Sequence, residues 1–224
     1  MRESLSWVTQ ALIAIGWVAT LSLTSGLGAQ SVQKRLGLTL THSVGGGISA
    51  HPPPCSSGCV EADVLSPLSL STLELELTLP FRTRERWGLE YHVRVVPLAM
   101  MRENPTEPAM LGGRGWFLPL STDRGSTLGF GVKPAGLRAC LGGEALRAEA
   151  DASVGILRFG TPLLAANAAK LNFVYEFGVG LRMRRLGTGG VVVGYRRHHV
   201  SNAGIAEVNP GLNSHMLLVG VPIF

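Results

Sequence analysis

The sequence is poor in charge, with only 16% of its 224 residues charged and a net charge of +5. In a soluble enzyme of this size, about a quarter of the residues are usually charged. No basic run with interleaved aromatics occurs, which argues against a nucleic-acid groove. Beyond the N-terminal region no stretch reaches about 18 unbroken apolar residues, so no transmembrane helix is predicted there. The low charge, the 29 glycines and the repeated alternation of apolar and polar residues indicate an all-β protein whose surroundings are not water alone.

Cysteine is also scarce, and its spacing excludes a zinc pattern. Cys55 and Cys59 bracket a Ser-Ser-Gly loop, so a disulfide between them is predicted in an oxidising compartment. Cys140 is left as a free thiol or a small core residue. Adjacent His198 and His199 point to opposite faces of a strand and cannot share one ion. We therefore predict no metal and no cofactor.

The N-terminal segment predicts export. Residues 1–29 combine a weakly basic start, an uncharged apolar core and small residues before a cleavage site after Ala29. An uncleaved membrane anchor is the alternative, since the uncharged run is long enough to span a bilayer. The Ser, Thr, Gly and Gln content favours a signal peptide. The predicted organisation is a signal over 1–29 and one β-barrel domain over 30–224.

Two-residue alternation predicts about eight strands. They cover residues 35–42, 72–79, 87–98, 126–133 with a continuation to about 138, 150–159, 170–183, 191–201 and 213–224. One face of each strand is aliphatic and aromatic, and the other carries glycine and charges of both signs. In residues 72–79, for example, leucine alternates with glutamate and threonine. Trp87, Tyr91, Tyr175 and Tyr195 are candidates for aromatic girdles.

This division predicts an eight-stranded antiparallel transmembrane β-barrel of the outer-membrane type, with apolar side chains outward and polar ones inward. Closure is required because an open edge in lipid leaves backbone groups unpaired. Long connections near 44–71 and 100–125 are expected outside, and a short turn near 80–86 on the periplasmic side. The connection near 141–149 fits this asymmetry less well. A soluble sandwich or lipocalin-like barrel, with the apolar face inward, is the alternative.

The strand over 191–201 carries the candidate chemistry. His199 and Ser201 lie one step apart on one face, and a hydroxyl beside an imidazole is the minimum pair for acyl transfer. A polar strand end is the simpler interpretation of the same two residues. Arg197 shares their lipid-facing side, where polar groups are costly unless used. It is therefore a candidate for binding an anionic headgroup.

The run His199-Val200-Ser201-Asn202-Ala203-Gly204, followed by Asn209-Pro210-Gly211, resembles the active-site signature of the outer-membrane lipid A 3-O-deacylases, the PagL family. The resemblance implies an eight-stranded barrel in the bacterial outer membrane that removes the 3-position acyl chain of lipid A. It implies Ser201 as nucleophile and His199 as general base. It also implies positioning or oxyanion contacts from Asn202, Gly204 and Asn209, and lipopolysaccharide as the partner. Whether the protein forms a homodimer is left open by the sequence.

One position departs from the family pattern. Its best-known members carry a glutamate twelve residues after the serine, and here that residue is Asn213. Asparagine can orient an imidazole but cannot stabilise its cation by charge. We therefore expect a weaker or differently tuned hydrolase, with Glu207 as a distant substitute for the acid. A non-catalytic structural or adhesive barrel is the alternative function, and a soluble exported lipid-binding barrel is a third.

Overall fold

The computed structural model describes residues 35–50, 64–65, 69–84, 86–102, 126–143, 145–163, 168–184, 190–206 and 209–223. The strands are β1 (Arg35–Ala50), β2 (Val64–Leu65), β3 (Ser69–Thr83), β4 (Trp87–Arg102), β5 (Ser126–Gly142), β6 (Leu146–Phe159), β7 (Leu171–Met183), β8 (Val191–Ser201) and β9 (Pro210–Pro222). The predicted signal segment, the Cys55–Cys59 loop and Glu207 lie outside the described residues. Within those ranges, no helix is long and apolar enough to cross a membrane.

Eight long strands close into an antiparallel barrel. From β3 to β9 each strand pairs with the next one in the chain, and β1 pairs with both β3 and β9. The two-residue strand β2 adds only a short pairing to β1, at Gly47 and Ile48. The closing β1–β9 ladder runs from Gly37↔Pro222 to Ala50↔Pro210. The predicted eight-stranded barrel is therefore confirmed.

Side chains alternate between an apolar outer wall and a polar interior. Along β7 the exposed and buried positions strictly alternate over residues 171–179. Phe177 is 61% exposed and Val179 58%, whereas Glu176 is only 1% exposed. A soluble barrel would turn the aromatic face inward, so the lipocalin-like alternative is wrong. An apolar outer wall around a polar interior is the arrangement of a transmembrane barrel.

Paired charges fill the middle of the barrel. Lys133 Nζ donates to Glu74 Oε1 at 2.5 Å and to Glu176 Oε1 at 2.6 Å. Arg94 Nε donates to Glu76 Oε2 at 2.7 Å, and its guanidinium also reaches the Asp151 carboxylate. Each of these carboxylates thus meets a cation from another strand. Buried charges are tolerated only when paired in this way, so the interior is a packed network.

The interior changes character at the end of the barrel opposite the chain termini, called here the far end. The large inward-facing side chains there are mostly apolar and form one buried cluster, although Ser43, Thr72 and Asn172 are also buried at this end. Its members are Leu70, Val96, Ala99, Met101, Leu157, Phe159, Leu163, Val174, Val200, Leu212 and Met216. A polar inner face over the whole barrel was therefore a wrong expectation. Val174, which breaks the polar pattern of its strand in the sequence, belongs to this cluster.

Several strands run further than the sequence pattern predicts. Residues 44–50 continue β1 and residues 80–83 continue β3, although glycine and proline there indicate a loop and a turn. Residues 45–50 pair with β9, and two of them also pair with β2, while the end of β3 pairs with β4 alone. These ladder hydrogen bonds offset the low strand preference of glycine and proline. Residues 141–149 are mostly strand, and only residues 143–145 separate β5 from β6. The connection that fitted poorly is thus a short one at the termini end, as the barrel requires.

Candidate functional site

Strand β8 carries His199 and Ser201 on the outer wall at the far end. Both are half-buried, while Arg197 on the same face is exposed and Arg196 and His198 are buried inside. Val200, between the two site residues, is 1% exposed and belongs to the far-end apolar cluster. A fully packed neighbour leaves the backbone little freedom. The wall that holds the two candidates is therefore backed by core.

His199 is held from both sides by the neighbouring strands. In the ladders it lies directly opposite Tyr175 of β7 and Asn213 of β9. The His199 and Tyr175 rings stack with centroids 4.6 Å apart and planes at 22°. On the other side, His199 Nδ1 and Asn213 Oδ1 are 2.7 Å apart. An amide oxygen only accepts, so Nδ1 donates and Nε2 is left as the basic nitrogen.

A tight turn follows Ser201. Asn202 N–H donates to Asn209 Oδ1 at 2.8 Å, and Gly204 N–H donates to Asn202 Oδ1 at 2.9 Å. Gly204 has φ of +79° and Ala203 has φ of +51°. A left-handed alanine is strained, and such strain clusters at functional sites. The three residues implied as positioning or oxyanion contacts, Asn202, Gly204 and Asn209, therefore come together in this turn.

Ser201 and His199 are neighbours on one face of β8. Among the described residues, no hydrogen bond joins Ser201 Oγ to the His199 ring. Contacts between nucleophile and base commonly tighten only when substrate binds. The arrangement therefore contains a hydroxyl, an imidazole with an orienting acceptor, and a turn rich in amide donors. These are the groups that ester hydrolysis by a serine needs.

Arg197 lies one step nearer the termini end than His199, about 6.6 Å along the strand. It is opposite His215 of β9, whose Nδ1 is hydrogen-bonded to the Tyr195 hydroxyl. The Tyr195 and His215 rings also stack, with centroids 5.9 Å apart. The outer wall of β8 and β9 thus carries a short polar segment next to the candidate site.

A second His–Ser pair occurs on the same wall and was not predicted from the sequence. His42 Nδ1 and Ser71 Oγ are 2.8 Å apart, on outward positions of β1 and β3. No turn like the one after Ser201 adjoins this serine among the described residues, because β3 continues past it in its ladder with β4 as far as Ser69. The pair is 29 residues apart in sequence, so only knowledge of the strand register could have revealed it. It provides a matched control for Ser201.

Metal-ligand groups do not gather in the described part of the chain, where no cluster of three His, Cys, Asp or Glu side chains could hold an ion. His198 and His199 point to opposite sides of the wall, as their adjacency predicts. Cys140 is a buried free thiol.

Comparisons with known proteins agree with this picture. No curated protein sequence matches the chain. The crystal structure of the outer-membrane enzyme PagL matches with a TM-score of 0.51 and 16% identity, over 84% of this chain and 99% of that one. The outer-membrane protein AlkL matches with a TM-score of 0.44 and 14% identity, over 88% and 94%. OprG of Pseudomonas aeruginosa matches with a TM-score of 0.39 and 11% identity, over 85% and 94%.

The family described as "Lipid A 3-O-deacylase (PagL)" has a model that matches residues 72–222, about two thirds of the sequence. The match includes six complete barrel strands and the whole His199–Asn213 segment. The solved structures that resemble this chain are barrels of the bacterial outer membrane, and this protein is located in the same membrane. The chain is a member of the PagL family of outer-membrane lipid A 3-O-deacylases.

Proposed function

We propose that the protein hydrolyses a primary acyl ester of lipid A, within lipopolysaccharide of the outer leaflet, by a Ser-His mechanism. The observation that carries the proposal is the hydrogen bond from His199 Nδ1 to Asn213 Oδ1, 2.7 Å long. It directs the basic Nε2 of a half-buried imidazole away from Asn213, two residues from a hydroxyl on the same face. The family match provides the substrate class.

The reaction proceeds in two steps. Ser201 Oγ attacks the acyl carbonyl carbon and gives its proton to His199 Nε2, which forms an oxyanion and an imidazolium. The carbonyl re-forms as the bond to the sugar oxygen breaks, and His199 returns the proton to that oxygen. Water then attacks the acyl-enzyme with His199 again as base, releasing the fatty acid and restoring Ser201.

The turn after Ser201 contributes the oxyanion side of the site. Asn209 fixes the turn by accepting from Asn202 N–H, and Asn202 holds Gly204 N–H. We assign Asn209 a positioning role on this basis. The oxyanion donors are side-chain amides of the turn, or Gly204 N–H once it leaves Asn202 Oδ1. One such donor contributes roughly 3–4 kcal/mol to the transition state in other enzymes.

Access to the site is sideways from the membrane. Beyond Arg197, toward the termini end, the outer wall is mostly apolar, and Val193 and Val179 line a groove that extends to Ala150. An acyl chain can lie along this surface while its ester stays at the height of Ser201. We assign Arg197, which is exposed on the same wall, the binding of an anionic group of the lipid, because a guanidinium matches phosphate geometry.

The test is mass spectrometry of lipid A from cells that make the intact protein, Ser201→Ala, or Ser71→Ala. Heat-modifiable migration on gels shows which variants are folded. We expect loss of one primary acyl chain with the intact protein and with Ser71→Ala, and unmodified lipid A with Ser201→Ala. Loss of the chain in all three would remove Ser201 from the mechanism.

Unchanged lipid A with the folded intact protein would instead support the non-catalytic barrel. Asn213 is the observation that favours this second candidate, since a neutral amide replaces the family's acidic residue.

A further inference from the structure

We infer that Tyr175 is a positioning residue of the hydrolytic site and that its ring stabilises the imidazolium of His199. The inference rests on the proposed function and deepens it. Its first basis is geometry, since the two rings face each other at 4.6 Å and 22° across the β7–β8 ladder. Edge-on or distant packing would leave the π face unused, whereas this stack presents it to the imidazole.

The second basis is the missing charge. In each half-reaction His199 carries a full positive charge after it takes the proton. Asn213 orients the ring through its oxygen but has no charge to offset that cation. The electron-rich face of a tyrosine attracts a cation within about 6 Å of its centroid, more strongly where water is excluded. Tyr175 occupies that place, so the stack acts in the transition state where a carboxylate would.

Other charged or titratable groups around His199 do not provide this stabilisation. Arg197 is next on the same face of β8 and is itself a cation. His215 is the nearest titratable group on the outer face of β9 and is engaged with Tyr195. On β7, the outward neighbour of Tyr175 is Phe177, with the two rings edge-on at 6.4 Å. Among the described residues, Tyr175 is thus the group whose face meets His199.

The experiment compares Tyr175→Phe and Tyr175→Leu, with Tyr91→Leu as the control. Tyr91 is an outward tyrosine of β4, on a strand that does not pair with the strands of the site. We expect Tyr175→Leu to lower kcat by about 2- to 30-fold with little change in KM. Tyr175→Phe keeps the π face and therefore the rate, and Tyr91→Leu leaves the rate unchanged.

Two readouts separate charge stabilisation from packing alone. Losing the stack disfavours the imidazolium, so the acid-side midpoint of the kcat/KM profile moves to lower pH in Tyr175→Leu and not in Tyr175→Phe. The loss from Tyr175→Leu should also shrink in an Asn213→Glu protein, where a carboxylate already offsets the cation. An unmoved midpoint, or equal losses in both backgrounds, would overturn the inference.

Failure of the proposed function can be told apart from failure of the inference about Tyr175. If the intact protein leaves lipid A unchanged, the His199 ring can still be titrated by NMR in detergent micelles. A lower midpoint in Tyr175→Leu than in the intact protein supports the contact, and identical titrations overturn it. If the intact protein is active and Ser201→Ala is not, but Tyr175→Leu retains the full rate, the proposed function stands and this inference falls.

Discussion

Replacing Asn213 tests how the proposed catalytic base, His199, is oriented. Asn213→Asp is nearly isosteric and changes the partner of His199 Nδ1 from a neutral amide to a carboxylate. Hydrogen bonds to charged groups contribute about 1.5–3 kcal/mol, against about 0.5–1.5 kcal/mol for neutral pairs. The difference of roughly 1–1.5 kcal/mol predicts a 5- to 12-fold increase in kcat. Asn213→Glu supplies the family's residue and should act in the same direction.

A second reason for the increase is tautomer control. An asparagine side chain presents either its oxygen or its NH2 group to a neighbour, whereas a carboxylate can only accept. If the amide turns, its NH2 donates to Nδ1, the proton moves to Nε2, and the base cannot take the proton of Ser201. The observed contact has Oδ1 toward Nδ1. A carboxylate at 213 fixes this productive form.

Asn213→Ala completes the series by removing the acceptor. A half-buried imidazole then loses its orienting bond, a change of about 1–2 kcal/mol that predicts a 5- to 30-fold decrease in kcat. The assay measures the release of fatty acid from purified lipid A by the micelle-embedded protein, and the Ser201→Ala variant gives the baseline rate. Equal rates for the Asn, Asp, Glu and Ala forms would refute the orienting role.

Two further predictions concern the barrel and the lipid headgroup. Arg94→Met removes the cation that several buried carboxylates share, and it should lower the free energy of unfolding by about 3–5 kcal/mol. Arg147→Met, at a partly exposed site 3.9 Å from Glu90, should lower it by less than about 1 kcal/mol. Guanidinium titration in micelles measures both, and equal losses would contradict the network argument. Arg197→Ala should raise KM for phosphorylated lipid A about 2- to 5-fold and leave kcat unchanged. The same increase with dephosphorylated lipid A would show that Arg197 does not bind phosphate.

The fold was predictable because a membrane barrel obeys a simple rule at every position. Alternation along each strand sets which side chains face lipid, and closure requires the first and last strands to pair. The strand ends were less predictable. Residues 44–50 include three glycines and still form strand, because pairing on both sides of β1 outweighs local preference.

The site was predictable only where it is local. His199, Ser201, Asn202, Gly204 and Asn209 lie within one short segment, and their spacing is visible in the sequence. Contacts across strands depend on register, which alternation does not fix. The Tyr175–His199 stack could have been found by pairing the clear strand β7 with β8 across a turn of assumed length. The His42–Ser71 pair needed the register of two strands separated by a long connection.

The change of the interior along the barrel suits the chemistry proposed for the site. Around the middle, the wall is apolar outside and charged inside, which suits lipid. At the far end β8 and β9 pack Val200 and Leu212 inside, and β8 carries His199 and Ser201 outside. The outward residue opposite Ser201 in the ladder, Phe173, is apolar and 42% exposed, so the polar groups form a local patch within an apolar wall. An acyl ester of lipid A joins a fatty chain to a sugar, so it also places a polar group beside apolar chains. Under the proposed function, the apolar core behind this wall supports the patch that meets the ester.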